Sequence, residues 1–96
     1  MITPWEDTIY NEAIKIWGKN PQLLVLLEEF SELQKEILKN INREADNLDA
    51  LIDETADVLI MMEQLQRLYN IKEQVKKRIP EKLKKVEQRL RKEQCF

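Results

Sequence analysis

The sequence contains no histidine, one glycine and a single cysteine, Cys95, beside the C-terminal residue. Without histidine, neither a Ser-His nor a Cys-His nucleophilic system can form, and the Glu-x-x-His ligands of di-iron helix bundles are missing. One cysteine excludes an internal disulfide and a cysteine zinc cluster. Any chemistry of this chain must therefore use carboxylates, amines or hydroxyl groups.

Long apolar runs are missing as well. No stretch is long enough to span a bilayer, and the start, MITPWEDTIY, lacks the basic-then-apolar order of a signal peptide. We therefore expect a cytoplasmic protein with no membrane partner. Residues 1–96 form one domain that is too small to enclose a large core alone, so we expect a homo-oligomer, a dimer or a tetramer, whose subunits share a core.

Charge is unevenly distributed along the chain. Residues 1–71 hold 14 acidic and 6 basic side chains, whereas residues 72–96 hold 4 acidic and 10 basic ones, and the net charge is −2. A basic C-terminal segment could contact nucleic acid, but the acidic remainder would repel a duplex backbone. We therefore expect no nucleic-acid partner, and a smaller ligand that carries phosphate suits both parts of the chain better.

The first two helices are predicted from start and stop signals. Thr3-Pro4-Trp5-Glu6 has the order of a capping box, so a helix should run from about residue 4 to residue 17 and stop at Gly18. Asn20-Pro21 repeats the start signal. Apolar residues then keep helical spacing, which predicts a long second helix that ends near Asn42.

The second half of the chain is also predicted to be helical. The polar residues 43–47 indicate a short turn, which predicts an antiparallel pair of helices two and three. Helix three should run from about residue 48 to residue 69, with Asn70 able to end it. Helix four should begin at Lys72, and Pro80 predicts a kink or a restart within it. Since no strand pattern is present, the expected class is all-α, with a four-helix bundle-like fold.

Acidic side chains form a line on helix two. Val25, Glu29, Glu32 and Glu36 are spaced by four, three and four residues, and Glu28 lies just beside that line. Taken alone, this pattern is typical of a solvated helix face.

Helix three carries acids where apolar residues are expected. Glu54 and Asp57 share a stripe that is otherwise apolar, and the opposite side of the helix is apolar too, so we expect the helix to lie between neighbours with its acids partly buried. Two like charges about 4 Å apart repel by about 4 kcal/mol at an effective dielectric constant of about 20. Without a counter-charge, some of these carboxyl groups would be protonated.

An antiparallel pair of helices would bring Glu29 and Glu32 to face Glu54 and Asp57. Four oxygen ligands without histidine or thiolate suit a hard cation, Mg²⁺ or its substitute Mn²⁺. Because Mg²⁺ usually keeps several waters, the site would hold more than one ion, or one ion and a second that arrives with the substrate. Such a site is open to phosphates.

The acidic motif resembles that of a known family. Glu28-Glu29-x-x-Glu32, 21 further residues and Glu54-x-x-Asp57 resemble the E-E-x-x-E…E-x-x-D signature of the MazG-like, all-α nucleoside triphosphate pyrophosphohydrolases. The likeness to the small phage-type and bacterial members covers nearly the whole chain. It includes Trp17-Gly18, Gln22-Leu23, Glu32-Leu33, Ala56-Asp57-Val58 and Glu63-Gln64-Leu65.

The resemblance implies a MazG-type fold and a Mg²⁺-dependent reaction. A nucleoside triphosphate would be cleaved between its α and β phosphates to the monophosphate and pyrophosphate, as in house-cleaning of the nucleotide pool. Glu29, Glu32, Glu54 and Asp57 would hold the metal. Glu28 would support the ligands by a hydrogen bond or accept the proton of the attacking water, and the alternative for it is a salt bridge with Lys35.

Cationic residues for the substrate phosphates are also suggested by the resemblance. Lys82-Leu83-Lys84-Lys85 is similar to a segment of the family's last helix, which makes Lys82 and Lys85 candidate phosphate contacts. Val86 departs from the larger members, which often carry an arginine there. The alternative for Lys82 and Lys85 is ordinary solvated lysine on an amphipathic helix, and Lys35 and Lys39 could serve instead.

Two functions from other classes remain as alternatives. The first is a non-catalytic helical interaction module that binds metal and nucleotide without turnover. The second is a purely structural helical oligomer, in which arginine and lysine residues pair with the acids.

Overall fold

A computed structural model describes residues 2–42 and 46–94 of the chain. These residues form four α-helices and no strand, which confirms the predicted all-α class. None of the described helices is both long enough and apolar enough to cross a membrane. The helices are α1 (Pro4–Trp17), α2 (Lys19–Ile41), α3 (Leu48–Tyr69) and α4 (Lys72–Gln94).

The predicted capping box starts α1. The Thr3 hydroxyl accepts a hydrogen bond from the Glu6 backbone N–H, and the Glu6 carboxylate accepts one from the Thr3 N–H, both at 3.1 Å. Gly18 ends the helix with φ at +78°, a conformation that favours glycine, and its N–H donates to the carbonyl of Ile14 at 3.0 Å. Both ends of α1 therefore lie where the sequence predicts them.

One proline signal was misread, and the other did not restart a helix. α2 begins at Lys19, directly after Gly18, so Asn20-Pro21 does not start it. Pro21 lies in the first turn, where a backbone N–H has no partner within the helix and its loss costs nothing. α4 continues through Pro80 without a restart. Pro80 is exposed, so the carbonyl that loses its N–H partner there can bond to water.

α2 and α3 form the main helix pair and run antiparallel. Gln64 Nε2, near the end of α3, donates to Gln22 Oε1, near the start of α2, at 2.9 Å. At the other end of the pair, Asn47 Nδ2 donates to Glu36 Oε2 at 2.8 Å. The predicted turn at residues 43–47 lies partly outside the described residues, but residues 46 and 47 do precede α3.

The core of one chain is thin. Among the described residues, the buried apolar side chains are Leu26 of α2, which is 4% exposed, and Val58 of α3, which is 9% exposed. Gln22 and Gln64 are buried beside them, and Gln64 Nε2 also donates to the backbone carbonyl of Tyr10 in α1 at 3.1 Å. A polar contact therefore joins α1, α2 and α3 where a larger domain would place apolar residues.

An ion network ties the first turns of α1 and α4 to α3. The Arg67 guanidinium contacts the Glu63 carboxylate at 2.7 Å and Asp7 of α1 at 2.8 Å, and Lys72 of α4 contacts Glu63 at 2.9 Å. Partial burial opposes ionisation of Glu63, but hydrogen bonds from Lys72 and Arg67 outweigh it and lower the pKa of this carboxyl group. Glu63 is therefore satisfied by cations from its own chain.

α3 is not enclosed on all sides within one chain, contrary to the expectation from its sequence. It packs against α2 and, less extensively, against α1 and α4. Leu48, Ile52 and Leu59 remain more than half exposed on its other side.

Candidate metal centre

Three of the four predicted metal ligands lie together between α2 and α3. Glu29 comes from the middle of α2, and Glu54 and Asp57 stand about one turn apart on α3. One carboxylate oxygen from each lies within 4.8 Å of the other two. The antiparallel helix pair therefore brings Glu29 close to two acids that follow it by 25 and 28 residues in the sequence.

No cationic side chain in the described part of the chain pairs with the three carboxyl groups. No ion pair there involves Glu29, Glu54 or Asp57. Partial burial raises the pKa of Glu29 above its ordinary value, and the charges of Asp57 and Glu54 raise it further. Glu54 Oε2 is buried without a hydrogen-bond partner among the described residues. A buried acceptor without a donor costs about 1–3 kcal/mol, so this group favours the binding of a cation.

The donor set fits a hard divalent cation. All three candidate ligands are carboxylates, which suit Mg²⁺ or Mn²⁺ rather than zinc or copper. They come from two packed helices, so their backbone positions are held by the fold rather than by a loop. The buried Oε2 of Glu54 is an acceptor that a metal ion would satisfy. The residues present therefore fit a Mg²⁺ site.

Glu32 and Glu28 lie outside this group of carboxylates. Both are exposed, and neither belongs to the set of oxygens within 4.8 Å. Glu32 follows Glu29 by three residues, which turns it by roughly 60° around the helix axis and away from α3. Glu28 does not form the alternative salt bridge with Lys35 in the described structure. Both glutamates therefore border the cluster and face solvent.

The candidate phosphate contacts fall into two separate groups. Lys35 and Lys39 line one surface groove on α2, and Lys39 contacts Glu36 at 3.6 Å. Lys82 and Lys85 are exposed on α4, whose backbone approaches α3 but not α2 in the described residues. The α2 lysines are therefore on the same helix as Glu29, whereas the α4 lysines are not gathered with them in one copy.

A buried amide pair sets the register of the acid cluster, and the sequence alone did not identify its role. Gln22 precedes Glu29 by seven residues and Gln64 follows Asp57 by seven, so each amide shares a helix face with one acid. The hydrogen bond between Gln22 and Gln64 therefore aligns the two helices so that Glu29 lies opposite Asp57. The seven-residue spacing of polar residues on both helices is the sequence signal for this pair.

No protein-family model, no curated protein and no solved structure matches this chain.

We expect the metal-free Glu29→Gln variant to be more stable than the wild type near neutral pH, by about 1 kcal/mol. The pKa of Glu29 in the folded state lies above the ordinary value of 4.5. Between the ordinary pKa of the unfolded chain and the raised pKa of the folded state, the folded state binds more protons than the unfolded state. The stability of the wild type therefore falls as the pH rises through this range. The advantage of the variant should therefore shrink as the pH is lowered toward 4.5.

Urea denaturation with a chelator at several pH values measures this difference. The control is Glu32→Gln, an exposed glutamate on the same helix, which should change stability by less than about 0.5 kcal/mol. A Glu29→Gln variant that is less stable than the wild type near neutral pH would contradict the electrostatic strain in the cluster.

Proposed function

We propose that this chain is a Mg²⁺-dependent nucleoside triphosphate pyrophosphohydrolase of the MazG-like type. The observation that carries the proposal is the convergence of Glu29 and Glu54, which are partly buried, with the exposed Asp57, without a cationic partner among the described residues. The order and spacing of these acids support the same function, because they follow the motif of that family. Release of the nucleoside monophosphate would suit a role in house-cleaning of the nucleotide pool.

Glu29, Glu54 and Asp57 would hold Mg²⁺, with Mn²⁺ as a substitute. When bound, the ion would supply neutralisation of phosphate charge and activation of water. Glu29 would bind in its ionised form, so a bound cation would oppose the burial that raises the pKa of this carboxyl group. Because α2 and α3 carry these three side chains on a rigid pair, a triphosphate held there would be fixed in one orientation.

The exposed residues beside the cluster would complete the reaction. In the hydrolysis, a water oxygen bonds to the α-phosphorus while the bridging bond to the β-phosphate breaks, and pyrophosphate leaves. Glu28 and Glu32 are exposed next to Glu29 and could accept the proton of that water. Lys35 and Lys39, along the same face of α2, would contact the departing phosphates.

The alternative is a module that binds Mg²⁺ and nucleotide without turnover. The observation that favours it is that three carboxylates, rather than the expected four, converge. Such a site could hold a nucleotide through a single ion and still fail to orient water for attack.

A screen for pyrophosphate release tests the proposal against this alternative. Canonical and modified ribo- and deoxyribonucleoside triphosphates are incubated with the wild type and Mg²⁺, with Mg²⁺ omitted, and with the Glu29→Gln variant. We expect pyrophosphate from at least one substrate, only with Mg²⁺, and a strong loss in Glu29→Gln. Nucleotide binding that needs Mg²⁺ but gives no pyrophosphate would support the binding module, and neither binding nor release would overturn both proposals.

A further inference from the structure

A pocket between α1 and α3 lies outside the group of converging carboxylates. It has a volume of about 180 Å³ and is lined by Trp5, Glu6, Ile9, Tyr10 and Ile60, and we call it the α1–α3 pocket. Pockets that enclose a whole drug-sized ligand measure about 300–1,000 Å³. The α1–α3 pocket therefore suits one part of such a ligand, for example a planar ring system.

The pocket lies on the side of α1 that faces the acids. On the other side of α1, Asp7 and Asn11 accept hydrogen bonds from Arg67 of α3 at 2.8 and 3.1 Å. Ile60 precedes Arg67 by seven residues and therefore shares its helix face, so α1 crosses α3 between these two side chains. Asp57 precedes Ile60 by three residues, which is roughly 4.5 Å along the helix axis. The acid cluster thus begins one turn beyond the pocket.

The pocket and Lys35 lie at opposite ends of the acid cluster. α2 and α3 are antiparallel, and Gln64 of α3 donates to Gln22 near the start of α2. Ile60 therefore lies level with the part of α2 that precedes Glu29, whereas Lys35 follows Glu29 by six residues. A nucleoside triphosphate has the same order, because its α-phosphate lies between the base and the two outer phosphates. Phosphates that contact the acids and Lys35 would direct the base toward the pocket.

The pocket offers aromatic and aliphatic surface to a ring. Trp5 is 73% exposed, and Ile9 and Ile60 are 48% and 47% exposed. The Arg67 guanidinium lies 4.8 Å from the centre of the Tyr10 ring, which restrains this second aromatic side chain. Aromatic side chains stack on nucleobases whatever their hydrogen-bonding groups, since every base has a π face. Because the contact grows with ring area, a purine gains more from it than a pyrimidine.

Trp17 offers another exposed aromatic ring at a different place. It lines a separate groove with Pro21, Gln22 and Val25 at the start of α2. Trp17 follows Trp5 by twelve residues on α1, which turns it by roughly 120° around the helix axis. Its groove has one aromatic ring, whereas the α1–α3 pocket has two. Trp17 is therefore the matched control for Trp5.

We infer that the α1–α3 pocket binds the base of the nucleotide and that the protein prefers purine to pyrimidine nucleotides. Trp5 and Tyr10 contact the base through their rings, and Ile9 and Ile60 exclude water from it. The inference rests on the proposed function, because it takes the acid cluster as the place of the α-phosphate. Trp5 is then a residue that determines specificity.

Tryptophan fluorescence tests the pocket without phosphates. Adenosine and uridine are titrated, with a chelator present, into Trp17→Phe, which keeps Trp5 as its only tryptophan, and into Trp5→Phe, which keeps Trp17. We expect adenosine to quench the fluorescence of Trp17→Phe and to leave that of Trp5→Phe unchanged. Uridine should bind about 3-fold more weakly or worse, because its single ring has less area to stack.

The kinetics of pyrophosphate release test the same pocket in turnover. Trp5→Ala should raise KM for purine nucleoside triphosphates by about 10-fold, the usual cost of losing one stacking side chain, and should change kcat far less. The ratio of kcat/KM between purine and pyrimidine substrates should fall toward one. Trp17→Ala should leave KM and this ratio unchanged. Both side chains are mostly exposed, so both variants should keep the helix content of the wild type in circular dichroism.

The outcomes separate the pocket from the proposed function. Pyrophosphate release with an unchanged KM in Trp5→Ala, and without quenching of Trp5, would overturn the pocket and leave the proposed function in place. Quenching of Trp5 by adenosine in a protein that releases no pyrophosphate would support the pocket and overturn the function.

Three further results would overturn the assignment of the base to this pocket. The first is quenching that is confined to Trp17. The second is a preference for pyrimidine nucleotides that persists in Trp5→Ala. The third is a lower mass of Trp5→Ala in light scattering with an unchanged KM, which would indicate that another copy of the chain covers the pocket.

Discussion

Glu54→Gln should abolish Mg²⁺ binding and lower pyrophosphate release by at least about 1,000-fold. Glu54 is the acid of the cluster whose Oε2 is buried without a partner, so removal of its charge removes the least solvated candidate ligand. The amide that replaces it is neutral and ends its repulsion of Glu29 and Asp57. We therefore expect the metal-free variant to be as stable as the wild type or more stable.

Calorimetric titration with Mg²⁺ and thermal unfolding across a series of Mg²⁺ concentrations measure both effects. The matched control is Asp53→Asn, the preceding residue on α3, which is exposed and outside the group of converging carboxylates. It should retain Mg²⁺ binding and turnover. Destabilisation of Glu54→Gln at every Mg²⁺ concentration would instead indicate that Glu54 pairs with a cation, as the structural-oligomer alternative requires.

Leu26→Ala should lower the free energy of unfolding by about 3 kcal/mol. Leu26 is 4% exposed and is one of two apolar side chains that are buried among the described residues. Its truncation removes apolar contacts between α2 and α3 and leaves a cavity beside the helix pair that carries the acids. In a chain with so thin a core, this is a large part of the total stability.

The control for Leu26→Ala is Leu27→Ala, the next residue on the same helix, which is 60% exposed. It should cost less than about 1 kcal/mol, because its side chain loses little burial. Urea denaturation at one fixed protein concentration compares the two variants, since dimerisation would make stability depend on concentration. Equal losses in the two variants would contradict the burial of Leu26.

The sequence predicted most helix ends because the interactions that start or end a helix involve only nearby residues. The capping box at Thr3, the positive φ of Gly18 and the left-handed conformation of Asn70 each involve only a few consecutive residues. Pro21 was misread as a helix start because a proline restricts only its own φ and one N–H group. Whether a helix tolerates a proline depends on the position of the proline in the helix and on its exposure to solvent.

The candidate site was only partly predictable for the same reason. The spacing of Glu54 and Asp57 on one helix face is a local property, so their proximity to each other follows from the sequence. The pairing of Glu29 with Asp57 depends on the register of α2 against α3, which the buried Gln22–Gln64 hydrogen bond sets. Glu32 lies just outside the contact between α2 and α3 in this register, so it faces solvent.

The all-α class, the four helices, the acidic and basic parts of the chain and the absence of histidine chemistry follow from the amino-acid sequence. Which acids meet, how thin the core of one chain is and which apolar side chains stay exposed depend on how the helices pack. Helix formation involves nearby residues, whereas burial involves residues that are far apart in the chain. The same leucines and isoleucines could have closed a monomeric core, but the packing of α4 leaves them exposed in one chain.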